Sequence, residues 1–511
     1  MLKSMNRNPI LWTDGYKLCH KDQYPDNTNW VYETWTPRMS RIEGVTHVVF
    51  FGLQGALAEL VDTFEKYFFA LSEEKVLQDY KDAIANIFEV TNPHFAATHK
   101  SDHIAALHRL GYLPIKIKAL KEGSLVPIGV PMFTIENTLP EFFWLPGYLE
   151  TQLSSYIWSP MTSATIGDLY KRILTKYAAK TSDVNKVATQ AGDFSMRGMG
   201  SPETAYRTAG GHLLSFRVSA TVSVREYLKA FYAADNDVLI YTPSTEHSVM
   251  CSYGEQETDA FRHLITNIYP SGNISIVSDT YDLWNVVDFV LPQLKDVIMS
   301  REGKVVIRPD SGDPVDIICG DSASNKETVR KGIVERLFEI FGGTTNDKGY
   351  KELDSHIGVV YGDSITPDRA MRICEGLMNK GFATTNIALG VGSYTYQYVT
   401  RDTFGFALKG TAEEVNGKFK AIQKRPATDT GNFKKSQKGM VAVVFENNDY
   451  RLIDELNPDT IKELDDKNLL RDFFIDGKYV YTQTFNEIKN KLTNESERVY
   501  GKESKETICC R

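Results

Sequence analysis

The run Lys304-Val305-Val306-Ile307-Arg308-Pro309-Asp310-Ser311-Gly312-Asp313-Pro314 constrains this chain more than any other stretch. Val305 to Ile307 is too short for a helix and is β-branched throughout, so it reads as a buried strand. Pro309 and the Gly312 to Pro314 segment end it. An apolar strand that breaks at once into an arginine and two aspartates sets opposite charges just beyond its carboxyl end. In α/β proteins that is where ligands bind.

The pattern recurs. Ile274 to Val277 precedes Ser278-Asp279, Gly358 to Tyr361 precedes Gly362-Asp363-Ser364, and Ile387 to Leu389 precedes Gly390-Val391-Gly392-Ser393. Val238 to Tyr241 is a further strand candidate, leading into Thr242-Pro243-Ser244-Thr245-Glu246-His247. Asp193-Phe194-Ser195-Met196-Arg197-Gly198 follows a weaker strand candidate near Val187. Helical patterns over 255–266, 280–294, 328–341 and 368–379 separate several of them. Strands alternating with helices predict parallel pairing and an α/β, barrel-like or open domain with one shared site.

The chain ends read differently. Tyr32 to Trp35, Val48 to Phe51, the alternation between Leu113 and Asn137, and the segments 404–411, 415–422 and 440–445 all read as short strands. Between them, 52–90 and 141–179 read as helix, the first broken at the capping sequence Leu71-Ser72-Glu73-Glu74. Residues 9–25 read as a first helix with a polar face, 342–351 as a polar loop, and the charged tail from Lys489 as partly disordered. The expected organisation is an irregular α/β barrel-like central domain, 183–400, with a discontinuous β-rich second domain, 1–182 plus 401–511, built from both chain ends.

Size and composition narrow the function. At 511 residues with 42% hydrophobic and 24% charged residues, two or three globular domains are expected. A net charge of −8 argues against a nucleic-acid-binding surface, though not against a local basic pocket for a phosphorylated small molecule. None of the six cysteines has zinc-like paired spacing, and with Arg511 directly after Cys509-Cys510 no prenylation box is expected. With no apolar leader core or bilayer-length apolar run, a cytoplasmic protein without membrane partners is expected.

The turns carry the chemistry. Gly362-Asp363-Ser364-Ile365-Thr366-Pro367 and Gly390-Val391-Gly392-Ser393 each join a strand to a helix start, where backbone N–H groups suit a phosphate. Asp279, Asp310, Asp313 and Asp363 stand at strand ends. There they can bond ribose hydroxyls, hold Mg²⁺ beside ligand phosphates, or stabilise positive charge on a sugar ring. His247 lies among them and can accept a phosphoryl group, with Asp279 fixing its tautomer.

Together the segments Thr13-Asp14-Gly15-Tyr16-Lys17, Asp193 to Gly198, Glu246-His247-Ser248, Val277 to Asp282, Ile307 to Gly312, Gly362-Asp363 and Thr400-Arg401-Asp402 resemble the nicotinamide phosphoribosyltransferase family of type II phosphoribosyltransferases. The likeness spans nearly the whole chain. It implies the fold expected above and a homodimer with shared active sites. The substrates would be nicotinamide and phosphoribosyl pyrophosphate, with ATP as co-substrate. Mg²⁺ would be held mainly by diphosphate and water.

The resemblance also implies residue roles. The base would stack between Phe194 and Tyr16 of the partner subunit, with Ser275 nearby and Asp14 beside Tyr16. Arg308 would meet the base amide or diphosphate, Asp310 and Asp363 the ribose side, and Arg197, Gly362, Gly392 and Ser393 the 5′-phosphate. Arg38, Arg401 and Lys409 would bring positive charge to the diphosphate, and Lys424 and Lys435 would lie toward the entrance. His247 would be phosphorylated by ATP, supported by Glu246 and Asp279. Two positions depart from the family pattern. Ala220 stands where an aspartate would bond the carboxamide NH₂, and Ser393 where the phosphate turn has a second glycine. The alternatives are a nicotinate phosphoribosyltransferase, with the same chemistry, and a non-catalytic phosphosugar-binding protein.

Overall fold

Six short strands carry the parallel sheet, and all are apolar on at least one face: β1 (Ala191–Asp193), β2 (Val218–Ser219), β3 (Ile274–Val277), β4 (Val305–Arg308), β5 (Ile357–Tyr361) and β6 (Ile387–Val391). The computed structural model describes residues 5–362, 364–424, 428 and 436–501. Asp363, Lys435, Cys509 and Cys510 therefore lie outside the described residues. The strands pair in the order β2-β1-β6-β5-β4-β3, every pair parallel. Single parallel bridges join Ile240 to Val218 on one edge strand and Ser244 to Ser275 on the other. One segment thus staples both edges, and the sheet curls into an irregular barrel.

That staple is where the expected strand over Val238 to Tyr241 falls. It shrinks to the lone bridge at Ile240, whose N–H donates to the Arg217 carbonyl at 2.8 Å. Pro243 follows and has no N–H to extend a ladder. The candidate near Val187 is also corrected: Val184–Thr189 is a 3₁₀ helix, and the strand begins at Ala191. The helix expected over 328–341 is two, Glu327–Lys331 and Ile333–Phe341. Gly332 between them sits at φ +76°, which an L side chain rarely adopts.

Outward-facing Ile274, Ile276, Val305, Ile307, Ile357 and Val359 are buried, as in a sheet covered by crossover helices. Contacts group the chain into two compact units. This one comprises Ser163–Glu226 and Asp235–Val399 among the described residues.

The other unit comprises residues up to Thr162, Tyr227–Ala234 and Thr400–Gly501. Its seven-stranded antiparallel sheet mixes both chain ends. The order is Lys418–Ala421, Ala407–Val415, Thr28–Thr36, Phe133–Asn137, Ile115–Ala119, Arg471–Ile475 and Lys478–Tyr479. Trp35, fully buried, stacks between Phe133 and Phe406 at centroid distances of 5.9 and 5.4 Å. Such pairs add about 0.5–1.5 kcal/mol beyond the area they bury. The inserted piece Tyr227–Ala234 is integral to this core. The Gly55 N–H donates to the Tyr232 hydroxyl at 3.0 Å, and the Gln54 amide donates to the Phe231 carbonyl.

Three further readings change here. Residues 9–25 form only a 3₁₀ turn, Pro9–Leu11, and short helical turns, Lys17–His20 and Lys21–Gln23, since no apolar period sustains a longer helix. The loop expected at 342–351 opens a small hairpin in the barrel unit, Gly343–Thr345 against Lys351–Leu353. Up to Tyr500 the charged stretch from Lys489 continues an ordered helix, Phe485–Tyr500, and 502–511 lie outside the described residues. The Thr484/Glu487 capping box starts it, and buried Phe485, Ile488 and Leu492 anchor one face. Among the described residues no helix is long and apolar enough to cross a membrane.

Candidate active site

Alternation along the barrel strands sets what the interior holds. In β4, Val305 and Ile307 point outward while Val306 and Arg308 point in. Ordinary barrels fill the interior with bulky branched side chains. Here the inward positions include Ser275, Gly358 and Ala388, and a cavity of about 720 Å³ remains. A second cavity of about 410 Å³ opens at the strand ends, lined by Arg197, Ala220, Glu246, Gly362, Gly392 and Ser393 among others. Phe194, Tyr241, Ser244 and Arg308 line both.

Arg308, the last residue of β4, is the centre of this junction. Its guanidinium lies 5.9 Å from the Phe194 ring centroid and 3.4 Å from the Asp310 carboxylate. Its Nε is buried and has no partner among the described residues, and the same holds for the Ser275 hydroxyl. Buried donors without an acceptor among the described residues leave room for a ligand that supplies one. Two glycines make the approach possible. A Cβ on Gly390 would meet the Phe194 ring at 2.7 Å, and one on Gly362 would meet Arg308 Nε at 2.7 Å. Phe194 stands on a fixed base: buried Asp193 accepts from the Ser195, Ser219 and Thr221 hydroxyls at 2.6, 2.8 and 2.8 Å.

Asp279 ties the neighbouring strand end to this one. Its Oδ2 accepts from the Asp310 N–H at 3.0 Å and the Ser311 hydroxyl at 2.5 Å, and its Oδ1 lies 3.2 Å from His247 Nε2. The Asp279 side chain is 5% exposed and that of His247 47%, so a buried carboxylate holds an accessible imidazole. A carboxylate at Nε2 keeps the proton there and leaves the lone pair on Nδ1. Glu246 accepts from the Ser248 hydroxyl at the start of the helix His247–Cys251. Ser393 packs its hydroxyl against Gly198, where a Cβ would collide with it. Asp313 instead caps the helix Pro314–Cys319.

The barrel unit therefore brings together Phe194, Arg197, Glu246, His247, Ser275, Asp279, Arg308, Asp310, Gly362, Gly392 and Ser393. Asp14, Tyr16, Arg38, Arg401 and Lys409 belong to the other unit. There the Tyr16 hydroxyl donates to Asp14 at 3.2 Å, as does Thr151 at 2.7 Å. Burial and the Asp14 charge raise the Tyr16 phenol above its ordinary range. Glu150 bridges Lys17 at 2.5 Å and Lys409 at 3.1 Å. Burial pushes the Glu150 carboxyl up, but the two ammonium groups outweigh it and hold the carboxyl below its usual value. Arg38 donates to the Gly405 carbonyl at 2.8 Å, and Arg401 pairs with Asp402 at 3.4 Å. Among the described residues no group of three or more His, Cys, Asp or Glu could hold a metal ion.

Sequence reasoning missed Tyr241, whose ring meets Phe194 edge-on at 6.2 Å, and Ser311. It also missed Glu150. The end of the apolar run Val238 to Tyr241 was the only available signal for the first.

Residues 189–478 match the nicotinate phosphoribosyltransferase (NAPRTase) family model. The chain belongs to the nicotinate phosphoribosyltransferase family. Residues 8–117 match the nicotinamide phosphoribosyltransferase N-terminal domain. A family relative named nicotinamide phosphoribosyltransferase from Acinetobacter baylyi is 43% identical over 97% of this chain and 99% of its own. One of the same name from Mycoplasma pneumoniae is 34% identical over 82% and 92%. Two solved structures share the fold at 15% identity. They are a nicotinate-nucleotide pyrophosphorylase from Pyrococcus furiosus (TM-score 0.58, 98% and 97% covered) and human nicotinic acid phosphoribosyltransferase (TM-score 0.52, 95% and 94% covered). The family assignment makes this protein a phosphoribosyltransferase.

Proposed function

We propose that this phosphoribosyltransferase joins nicotinamide to phosphoribosyl pyrophosphate, giving nicotinamide mononucleotide and diphosphate, in cytoplasmic pyridine nucleotide (NAD) salvage. The observation that carries the reading is the junction of the two cavities. There an aromatic ring, a guanidinium Nε and a serine hydroxyl, the last two without a partner among the described residues, meet in one barrel. A flat base with a polar substituent satisfies all three: Phe194 takes its face, and Ser275 and Arg308 its amide. The names of the two bacterial relatives support nicotinamide as that base.

In this reading Arg197, Gly362, Gly392 and Ser393 receive the 5′-phosphate, and Asp310 and Asp363 face the ribose. Cleavage of the bond from C1 to diphosphate leaves an oxocarbenium-like carbon, which the Asp310 carboxylate stabilises. The pyridine nitrogen attacks from the opposite face with inversion. It carries no proton, so no general base is required. Mg²⁺ suits the strand-end carboxylates Asp279 and Asp310 only through water and the diphosphate, where it would neutralise leaving-group charge. ATP serves as co-substrate: Nδ1 of His247 attacks the γ-phosphorus, and ADP departs with the bond's electrons. The chain acts as a homodimer, in which Tyr16 of the partner subunit closes over the base. Asp14 stands beside Tyr16; Arg38, Arg401 and Lys409 bring positive charge to the diphosphate, some of them across the dimer, and Lys424 lies toward the entrance. The 57% exposure of Tyr16 supports that partner contact.

Ala220 favours a second reading. It lines the smaller cavity with a methyl, so no carboxylate at that position repels nicotinate. Product mass after competition of equimolar nicotinamide and nicotinate for phosphoribosyl pyrophosphate decides. Nicotinamide mononucleotide is expected to dominate. An excess of the nicotinate product would replace the acceptor, and no nucleotide of either kind would refute the transfer.

A further inference from the structure

The two turns read above as the phosphate seat, with Gly362, Ser364 and Ile365 after β5 and Gly392-Ser393 after β6, join through one backbone atom. The carbonyl oxygen of Ile365 accepts from the Tyr170 hydroxyl at 2.6 Å and from the Thr395 hydroxyl at 3.0 Å. The two hydroxyl oxygens are 3.3 Å apart. A carbonyl has two lone pairs, so both donors fit. Tyr170 and Ile365 are fully buried and Thr395 is 9% exposed, so water does not compete.

Thr395 lies two residues past Ser393, in the one-turn helix Ser393–Tyr396 that begins at the turn. Tyr170 projects from the long helix Leu145–Thr181. The residue before Ile365, Ser364, sits at φ +56°, a left-handed conformation that costs a serine free energy and needs external restraint. Arg369 binds the Ser364 carbonyl at 2.6 Å, and the paired hydroxyls bind the next one. On the far side of the one-turn helix the Tyr396 hydroxyl lies 2.6 Å from His212 Nδ1, which fixes that helix from a second direction.

We propose that Tyr170 and Thr395 are positioning residues that set the spacing between the two phosphate-binding turns by sharing the Ile365 carbonyl. Neither side chain lines either cavity. The inference rests on the reading of the smaller cavity as the 5′-phosphate seat. It assigns the affinity of that seat to a buried link behind it. Ser275, on the edge strand β3, lies two strands away from the nearer of the two turns.

The test compares Tyr170→Phe, Thr395→Val, Thr395→Ser and the double variant Tyr170→Phe/Thr395→Val in the full chain. Thermal unfolding, KM for each substrate and calorimetric titration of phosphoribosyl pyrophosphate are measured. Loss of one buried hydrogen bond is expected to raise KM for phosphoribosyl pyrophosphate about fivefold to tenfold. KM for the base is expected to stay within about twofold. The double variant should lose more than the product of the singles, because either hydroxyl alone still satisfies the buried carbonyl and only the double leaves it unpaired. Thr395→Ser keeps the hydroxyl and should restore affinity. Should Tyr170→Phe fail to fold, the Thr395 pair alone carries the comparison. Wild-type affinity in a folded Thr395→Val variant would overturn the inference alone, and so would equal rises in both KM values. Absence of phosphoribosyl pyrophosphate binding by the unaltered protein would overturn the phosphate reading first and this inference with it.

Discussion

At Gly362 and Gly390, one added methyl would strike different parts of the candidate site. On Gly390 it meets the Phe194 ring, and on Gly362 it meets Arg308 and Asp310. Gly390→Ala is therefore expected to raise KM for the base about tenfold, and Gly362→Ala KM for phosphoribosyl pyrophosphate by a similar factor. Gly362→Ala should keep a near-normal Tm, because the Asp310 and Arg308 side-chain ends can yield, whereas on Gly390 the methyl also meets the Gly362 carbonyl oxygen at 2.9 Å and should lower Tm. Steady-state kinetics with each substrate varied in turn checks this, and the opposite assignment would exchange the roles of the two cavities. Arg308→Lys keeps the charge but loses the planar fork, so kcat/KM should fall at least about tenfold, equivalent to about 1.4 kcal/mol. At this scale charge was the legible signal. Arg308, Asp310, Asp279 and His247 stood out in sequence because charges at strand ends need a reason. Ser311, Tyr241 and Tyr170 did not, because a hydroxyl's role depends on what a distant segment places beside it.

The segment from Ile240 to His247 does two jobs as an element. It staples both edges of the barrel through Ile240 and Ser244, and it delivers His247 to Asp279. Short parallel strands with helices between them were legible because burial on both faces demands apolar runs. The staple was not, because a lone bridge asks for one residue rather than an alternating pattern. His247→Ala removes the imidazole from an exposed position with its buried neighbours left in place. It should abolish the proposed stimulation of transfer by ATP while leaving basal transfer and Tm within error. Equal stimulation in the variant, measured as nucleotide formed with and without ATP, would remove His247 from the phosphoryl step. Asp279→Asn should weaken stimulation less, since the amide still offers an oxygen to Nε2–H.

At the scale of the molecule, the antiparallel unit buries two carboxyls that no pattern in the chain announced, Glu33 and Glu122. Burial pushes each up to about 7, and the Glu150 charge adds to the effect on Glu33. One oxygen of each has no partner among the described residues. A carboxyl whose folded pKa exceeds its unfolded value binds more protons when folded. Its stabilisation is full below the unfolded pKa, near 4.5, and is lost as pH rises through about 7. Each residue contributes on the order of 3 kcal/mol to that slope. The unfolding midpoint of this unit should decline from pH 5 to pH 7.5 and then level. Glu122→Gln should flatten the decline, and a midpoint that rises over this range would contradict the burial argument. Mixed use of both chain ends was legible here from the matching strand styles. Tyr227–Ala234 was not, because its helical period is the same whichever core it joins.

That eight-residue excursion limits how the protein can be divided. A fragment cut to 163–399 would keep Tyr227, Tyr232 and their neighbours while losing Gly55 and Gln54, to which they bond. Apolar rings built for a core would then face solvent, inviting self-association. Laboratory dissection by simple truncation is thus expected to give insoluble material, whereas excising 227–234 behind a short glycine linker would remove the sticky face.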